Sequence, residues 1–99
     1  MIARHWTGLA RRDRAEEYVR HLRTETFPSL TKIPGFIAAR ILRRSMSEGV
    51  EFLIVTEWDS LQAIQRFAGS DVEQAVVPEA VQQMMVDYDR TVRHYEVIT

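Results

Sequence analysis

Phe52-Leu53-Ile54-Val55-Thr56 places five apolar or β-branched residues in unbroken succession, and Glu57-Trp58 then leads directly into Asp59-Ser60-Leu61-Gln62-Ala63-Ile64-Gln65-Arg66-Phe67-Ala68-Gly69. A strand with one wet face alternates between apolar and polar residues. A run without alternation therefore predicts a strand covered on both faces, central in its sheet and feeding a helix. The rest of the chain has to pack around it.

Ile2 to Leu9 alternates imperfectly, with Ile2, Arg4, Trp6 and Gly8 on one face and Ala3, His5, Thr7 and Leu9 on the other, which predicts a first strand. Asp13 and Glu16 have capping-box spacing. Ala15, Tyr18, Val19 and Leu22 then recur at helical intervals against a polar face that includes Glu16, Glu17, Arg20, His21 and Arg23. A helix starts near Arg14, and Phe27-Pro28 is expected to interrupt it before a further turn through Leu30 and Ile33. Phe36 to Arg44 reads as a second strand in which Arg40 needs a partner or a wet edge. The short polar link Ser45-Met46-Ser47-Glu48-Gly49 makes the second and third strands an antiparallel hairpin.

Beyond Trp58, Asp59 or Ser60 caps a helix with Leu61, Ile64, Phe67 and Ala68 on one face, and Gly69 stops it. Ser70-Asp71 is expected to open a short helical piece carrying Val72, Ala75 and Val76. Pro78 suits the first turn of a last helix, where Val81, Met84, Met85 and Tyr88 follow the i, i+3, i+4, i+7 pattern. Thr91 to Ile98 closes the chain as a strand. The order predicts an α+β fold, a ferredoxin-like β-α-β-β-α-β sandwich with a four-stranded antiparallel sheet and the last strand beside the first. Residues 1–99 are expected to form a single domain. Both strand faces carry apolar residues, Phe52 with Ile54 and Leu53 with Val55, so the face without helices predicts a homodimer packed sheet to sheet.

The remaining composition excludes more than it selects. A formal net charge of -1, with arginines interleaved among acids, provides no footprint for nucleic acid. The absence of cysteine excludes disulfides and thiolate chemistry. Met1-Ile2-Ala3-Arg4-His5 lacks the apolar core of a signal peptide, and no apolar run approaches the ~18 residues of a membrane span, so no membrane partner and a cytoplasmic location are expected. His5, His21 and His94 lie too far apart in sequence to signal a metal site. Nucleophile elbows and Gly-rich phosphate loops are missing. Acid–base chemistry in an aromatic-lined pocket is what the residue types leave.

Pro34-Gly35-Phe36 opening a strand, Glu57-Trp58-Asp59-Ser60-Leu61 at a strand-to-helix junction, Phe67-Ala68-Gly69-Ser70 ending that helix and a closing His94-Tyr95-Glu96-Val97 resemble the antibiotic biosynthesis monooxygenase domain family. The resemblance spans almost the whole chain and implies a dimeric α+β barrel. For activity it implies a cofactor-independent monooxygenase acting on an electron-rich aromatic of the anthrone or hydroquinone type, with no metal or flavin. The alternatives are a non-catalytic ligand-binding or stress-associated barrel protein, and an isomerase or cyclase whose rate ignores O2. The haem-degrading branch of the superfamily carries a Trp on the helix after the third strand, an iron-ligating His about ten positions later and an Asn on the first strand. Phe67 and Val77 stand at the first two positions here, and the first strand offers His5 and Thr7.

The substrate of such an oxygenase loses a proton and passes an electron to O2 from the resulting anion, so the protein must supply an apolar cavity, a base and oxyanion donors. By type, His5 and His94 are the candidate bases, on strands the fold sets side by side. Arg4 and Tyr95 are candidate donors, and Trp6, Trp58, Phe67 and Tyr88 candidate aromatic walls. Each has an ordinary structural reading: packed strand histidines, core aromatics, and an Arg4 paired with Glu57 or Glu96. His21, on the polar helix face, is expected to be solvated.

Overall fold

The computed structural model describes residues 1–99. Five antiparallel strands form one sheet: β1 Ile2–Ala10, β2 Phe36–Met46, β3 Gly49–Trp58, β4 Met85–Tyr88 and β5 Arg93–Glu96. β3 lies between β2 and β1, and β4 and β5 share the far edge of β1 end to end, β4 opposite Gly8 to Ala10 and β5 opposite Ile2 to His5. The expected α+β sandwich is observed, with its last strand beside its first. The β2–β3 link is tighter than expected, because β2 continues to Met46 and leaves only Ser47 and Glu48 in the turn. Arg40 lies exposed on the edge strand β2, where water solvates it.

β1 and β3 pair without a slip from Ile2↔Trp58 to Ala10↔Val50. Phe52, Ile54, Thr56 and Trp58 are buried under the helices, whereas Glu51, Leu53, Val55 and Glu57 are half-buried on the opposite face. Within one chain β3 is therefore covered on one face only. The continuous apolar run hid an alternation in burial.

On the covered face, α1 Ala15–His21 buries Ala15, Tyr18 and Val19, the positions that the helical spacing singled out. Pro28 does not break the helix. A π turn, Leu22–Thr26, joins α1 to α2 Phe27–Thr31, and the Phe27 N–H bonds to the carbonyl of Leu22, five residues back. In a regular α-helix the ring of Pro28 would press on the carbonyl of Thr24, and the wider turn relieves that clash. α3 Leu61–Ala68 starts at Ser60, whose hydroxyl accepts the Ala63 N–H at 3.1 Å. It buries Ala63 and Ile64, while Leu61, expected on its inner face, is 47% exposed.

The last third departs most from expectation. Ser70 to Pro78 forms no helix. It crosses the end of the sheet as a clasp in which Gln74 bridges Thr91, Ala75 N–H donates to Arg90 and Val92 N–H donates to Glu73. The last helix, α4 Glu79–Met84, stops four residues short of Tyr88, and Met85 begins β4. Apolar residues at 81, 84 and 85 satisfy either geometry. The free edge of β1 decides between them, since a further helical turn would leave its hydrogen bonds unmet. No helix is long and apolar enough to cross a membrane.

Two clusters make up the core. Phe52, Ile54, Tyr18, Leu22, Met84 and Met85 belong to one, and Trp58, Leu30, Ala63 and Ile64 form the other. Gly35 ties the second cluster to the sheet: its carbonyl accepts the Asp59 N–H at 2.9 Å, and its φ is 95°. A Cβ there would lie 2.5 Å from Ala63 Cβ. Gly69 has a φ of 84° but nothing within 4 Å of such a Cβ. Gly69→Ala is thus expected to cost only conformational strain, roughly 1–3 kcal/mol, and Gly35→Ala measurably more. Urea unfolding of the two variants checks this, and equal losses would contradict the steric account.

Candidate functional site

A cavity of about 330 Å³ opens where the two core clusters fail to meet. Its floor is sheet: Arg4 and Trp6 from β1, Ile54 and Thr56 from β3. Tyr18, His21 and Leu22 form one wall, and the π turn and α2 continue it through Thr26, Phe27 and Leu30. Phe67 of α3 and Val76, Val77 and Pro78 of the clasp close the other side. The strand pairs Arg4↔Thr56 and Trp6↔Ile54 place these four side chains together on the covered face. The Trp6 indole lies across Gly8, where a Cβ would come within 2.4 Å of it, and its Nε1–H donates to the Asp89 carbonyl at 2.8 Å.

Arg4 is the only charged side chain buried in the protein, at 4% exposure. The structural ion pair expected for it with Glu57 or Glu96 is not formed. The four salt bridges of the chain join other residues, all at the surface. Arg4 instead donates to the carbonyls of Val72 and Gln74 in the clasp and to His94 Nε2 at 3.0 Å, with its guanidinium 5.6 Å from the centre of the Phe67 ring. A guanidinium cannot accept a hydrogen bond, so His94 Nε2 must, and the neutral ring carries its proton on Nδ1. Burial lowers the pKa of Arg4 to about 10, which leaves it charged at neutral pH.

Six further polar side chains line the cavity, Tyr18, His21, Glu25, Thr26, Ser29 and Thr56, and three of them bear on its chemistry. The Tyr18 hydroxyl belongs to a residue 2% exposed, and burial alone holds its pKa above the usual phenol range. No protein group bonds to it; it is a neutral donor turned toward open space. Thr56 Oγ1 accepts the Trp58 Nε1–H at 2.9 Å, which leaves the hydroxyl proton of Thr56 free. His21 supplies an imidazole on the wall.

The residues singled out from sequence are dispersed by the fold. Arg4, Trp6 and Phe67 reach the cavity. Trp58 is fully buried behind it, stacked on Phe67 at 6.0 Å and edge-on to Phe36. Tyr88 lies outside, 6.4 Å from the Trp6 ring. His5 and Tyr95 pair with each other at 4.9 Å on the opposite sheet face, so neither His5 as base nor Tyr95 as donor meets the cavity. His94 stands behind Arg4, in a second, more open cleft with Glu73 and Arg93. His21, expected to be solvated on the polar helix face, is half-buried on the cavity wall. Tyr18 and Thr56 carried no sequence signal beyond an apolar period, since both positions read equally well as core.

The sequence profile of the antibiotic biosynthesis monooxygenase family matches residues 1–79. The chain belongs to that family. No curated protein matches it significantly. Among solved structures, one provisionally described as an antibiotic biosynthesis monooxygenase from Bacillus cereus superposes with a TM-score of 0.69 at 18% identity, covering 100% of this chain and 93% of the other. A variant of MhuD with two manganese protoporphyrin IX bound per active site gives 0.70 at 16% identity, covering 100% and 96%. MhuD is described as a haem degrader from Mycobacterium tuberculosis. The ActVA-Orf6 monooxygenase of Streptomyces coelicolor, in complex with nanaomycin D, gives 0.61 at 16% identity, covering 95% and 82%. At these identities the likeness establishes the ferredoxin-like fold of the family and nothing finer.

Burial, then the charge of Arg4, holds the His94 pKa below its ordinary 6.5, and burial does the same to His5. As pH falls below 6.5 the unfolded chain takes up these protons before the folded one does, so stability present at neutral pH is lost in that window. The melting temperature is expected to drop between pH 7 and the lower folded pKa, and His94→Asn to flatten part of that drop. An unchanged profile in the variant would show that His94 is not held neutral.

Proposed function

We propose that this family member is a cofactor-independent monooxygenase acting on an electron-rich aromatic, of the anthrone or hydroquinone type, bound in the cavity between the two core clusters. The Tyr18 hydroxyl is the observation that carries the reading. Its ring is buried, but the hydroxyl has no protein partner and is open to the cavity, kept neutral by its surroundings, on a wall shared with Trp6 and Phe67. Such a group is free to donate to an acceptor that enters the cavity.

For an activated methylene the reaction balances as RCH2R′ + O2 → RC(=O)R′ + H2O. His21 takes the first proton, the carbanion–enolate passes one electron to O2, and the resulting radical pair joins to form a C–O bond. The peroxide recovers a proton, and loss of water breaks the O–O bond as the second C–H proton leaves. Tyr18 and Thr56 donate to the enolate oxygen, where negative charge develops. The nanaomycin D complex of a relative with this fold supports an aromatic occupant. A haem fits less well: Val77, at the position where the haem-degrading branch carries its ligand, offers only an aliphatic side chain to the wall.

The second sheet face is proposed as the interface of a homodimer that completes the barrel. Leu42 is 48% and Tyr95 48% exposed there, beside half-buried Leu53, Val55 and His5. Sedimentation equilibrium at micromolar concentration is expected to report a dimer, and a monomer would overturn this part of the reading.

With metal-stripped protein and anthrone in an oxygen electrode, substrate-dependent O2 uptake is expected. His21→Ala should lower kcat by on the order of 10²–10⁴ and Tyr18→Phe by about 10²–10³, with KM changed little. His5→Ala, on the other sheet face, should leave the rate within about twofold of the parent. Absence of O2 uptake across anthrones and hydroquinones would defeat the proposal, and turnover without O2 would identify an isomerase.

A further inference from the structure

Arg4 presents an electrostatic problem that the oxygenase chemistry does not solve. A buried cation normally pairs with a carboxylate, because the cost of removing a charge from water exceeds what neutral hydrogen bonds return. Here three of the five guanidinium N–H donors are engaged, by the Val72 and Gln74 carbonyls and by His94 Nε2, and all three acceptors are neutral. Two N–H donors and the whole positive charge remain without a counter-ion, on the floor of a cavity faced mostly by aromatic and aliphatic side chains. The acids nearby do not compensate. Glu73 lies in the cleft behind His94, and no carboxylate comes within ion-pair distance of Arg4. Glu25, at the cavity mouth, is solvent-exposed, so water and salt screen it.

The clasp and the histidine hold the guanidinium in place. Val72 and Gln74 belong to a segment fastened to Arg90 and Val92 by its own backbone bonds, and His94 comes from β5, paired opposite Arg4. A cation fixed on several sides by neutral acceptors, with donors left over toward a cavity, is built to meet an anion that arrives from outside. Tyr18, also without a partner, adds a neutral donor on the same cavity.

We propose that the cavity selects aromatic substrates that already carry an anionic group, a carboxylate above all, and that Arg4 binds this group in the ground state while the ring system lies against Trp6 and Phe67. This rests on the cavity being the substrate site and narrows the substrate to aromatic acids. Arg4 is then a specificity-determining residue. Neutral aromatics of the same shape leave its charge unpaired and bind poorly.

The test compares 2-naphthoate with 2-naphthamide, a neutral isostere, and repeats the comparison with anthracene-2-carboxylate and its amide. Binding is followed by quenching of tryptophan fluorescence and by the rise in melting temperature that a ligand of the folded state must produce. The acid is expected to bind the parent protein at least ~tenfold more tightly than the amide, the factor that a charge-assisted hydrogen bond supplies. Arg4→Met should abolish the preference, and Arg4→Lys should retain part of it. Equal affinities of acid and amide for the parent protein would overturn the inference, as would a preference that survives in Arg4→Met. If Arg4→Met fails to fold, the comparison in the parent protein and in Arg4→Lys still decides. The measurement requires no turnover. A protein that prefers the acid but consumes no O2 keeps this inference and loses the oxygenase, whereas one that oxidises neutral anthrones and ignores the acid does the reverse.

Discussion

The β1–β3 ladder is the constraint on which the rest of the molecule depends. Its nine pairs run without a slip, and side chains alternate strictly across a pleat, so a shift of one residue would exchange every buried group for its exposed neighbour. In the observed register Arg4 and Trp6 stand opposite Thr56 and Ile54 beneath the helices, while His5 and Val55 face away. One step of slippage would put His5 in the cavity floor and Arg4 in water. Phe52 and Trp58, both fully buried, lock the register because neither has an alternative place to go. Burying an aromatic side chain of that size contributes roughly 1.5–3 kcal/mol.

The same two aromatics explain why a cavity exists at all. Phe52 gathers the α1 and α4 side chains around one end of the sheet, and Trp58 gathers those of α2 and α3 around the other. Between them β3 offers only Ile54 and Thr56, too small to bridge the gap. The protein forgoes packing there, and two of the polar groups that remain are held by neighbours: Thr56 by Trp58, Arg4 by the clasp and His94. Preorganisation of this kind is what the proposed chemistry requires.

Much of the architecture could be read from the residues. The central strand, the α1 face of Ala15, Tyr18 and Val19, the Ser60 cap and the Gly69 stop all follow from local rules, and local rules settle local geometry. Met85 to Tyr88 failed for a tertiary reason, since an apolar spacing common to helix and strand was resolved by the free edge of β1. Ser70 to Pro78 failed similarly, its backbone satisfied by residues near Thr91 rather than by its own neighbours. The cavity was less legible. Trp6 and Phe67 stand out by type, and Arg4 stands out as a charge on a strand, but nothing in a sequence says which pleat face meets the helices. His21 looked solvated because helical periodicity measures distance from the apolar face and is blind to a hollow beside it. Tyr18 looked like core because its ring is core, packed edge-on to Phe52 at 4.9 Å, and only its hydroxyl is not.

The π turn at Leu22–Thr26 has a consequence for how such a chamber can change over time. A π ring encloses one residue more than an α ring does, so this segment carries a surplus residue relative to a straight helix through Pro28. Removing one residue there would restore regular winding, and because the wide turn already absorbs the surplus, Tyr18 and His21 before it and Phe27 and Leu30 after it would keep nearly the faces they have now. Only the stretch of chamber wall at the turn itself would be redrawn, while the sheet beneath it stayed as it was. A helix with such a turn can therefore gain or lose one residue beside the chamber without rotating its other wall residues and without touching the strand register that holds the molecule together.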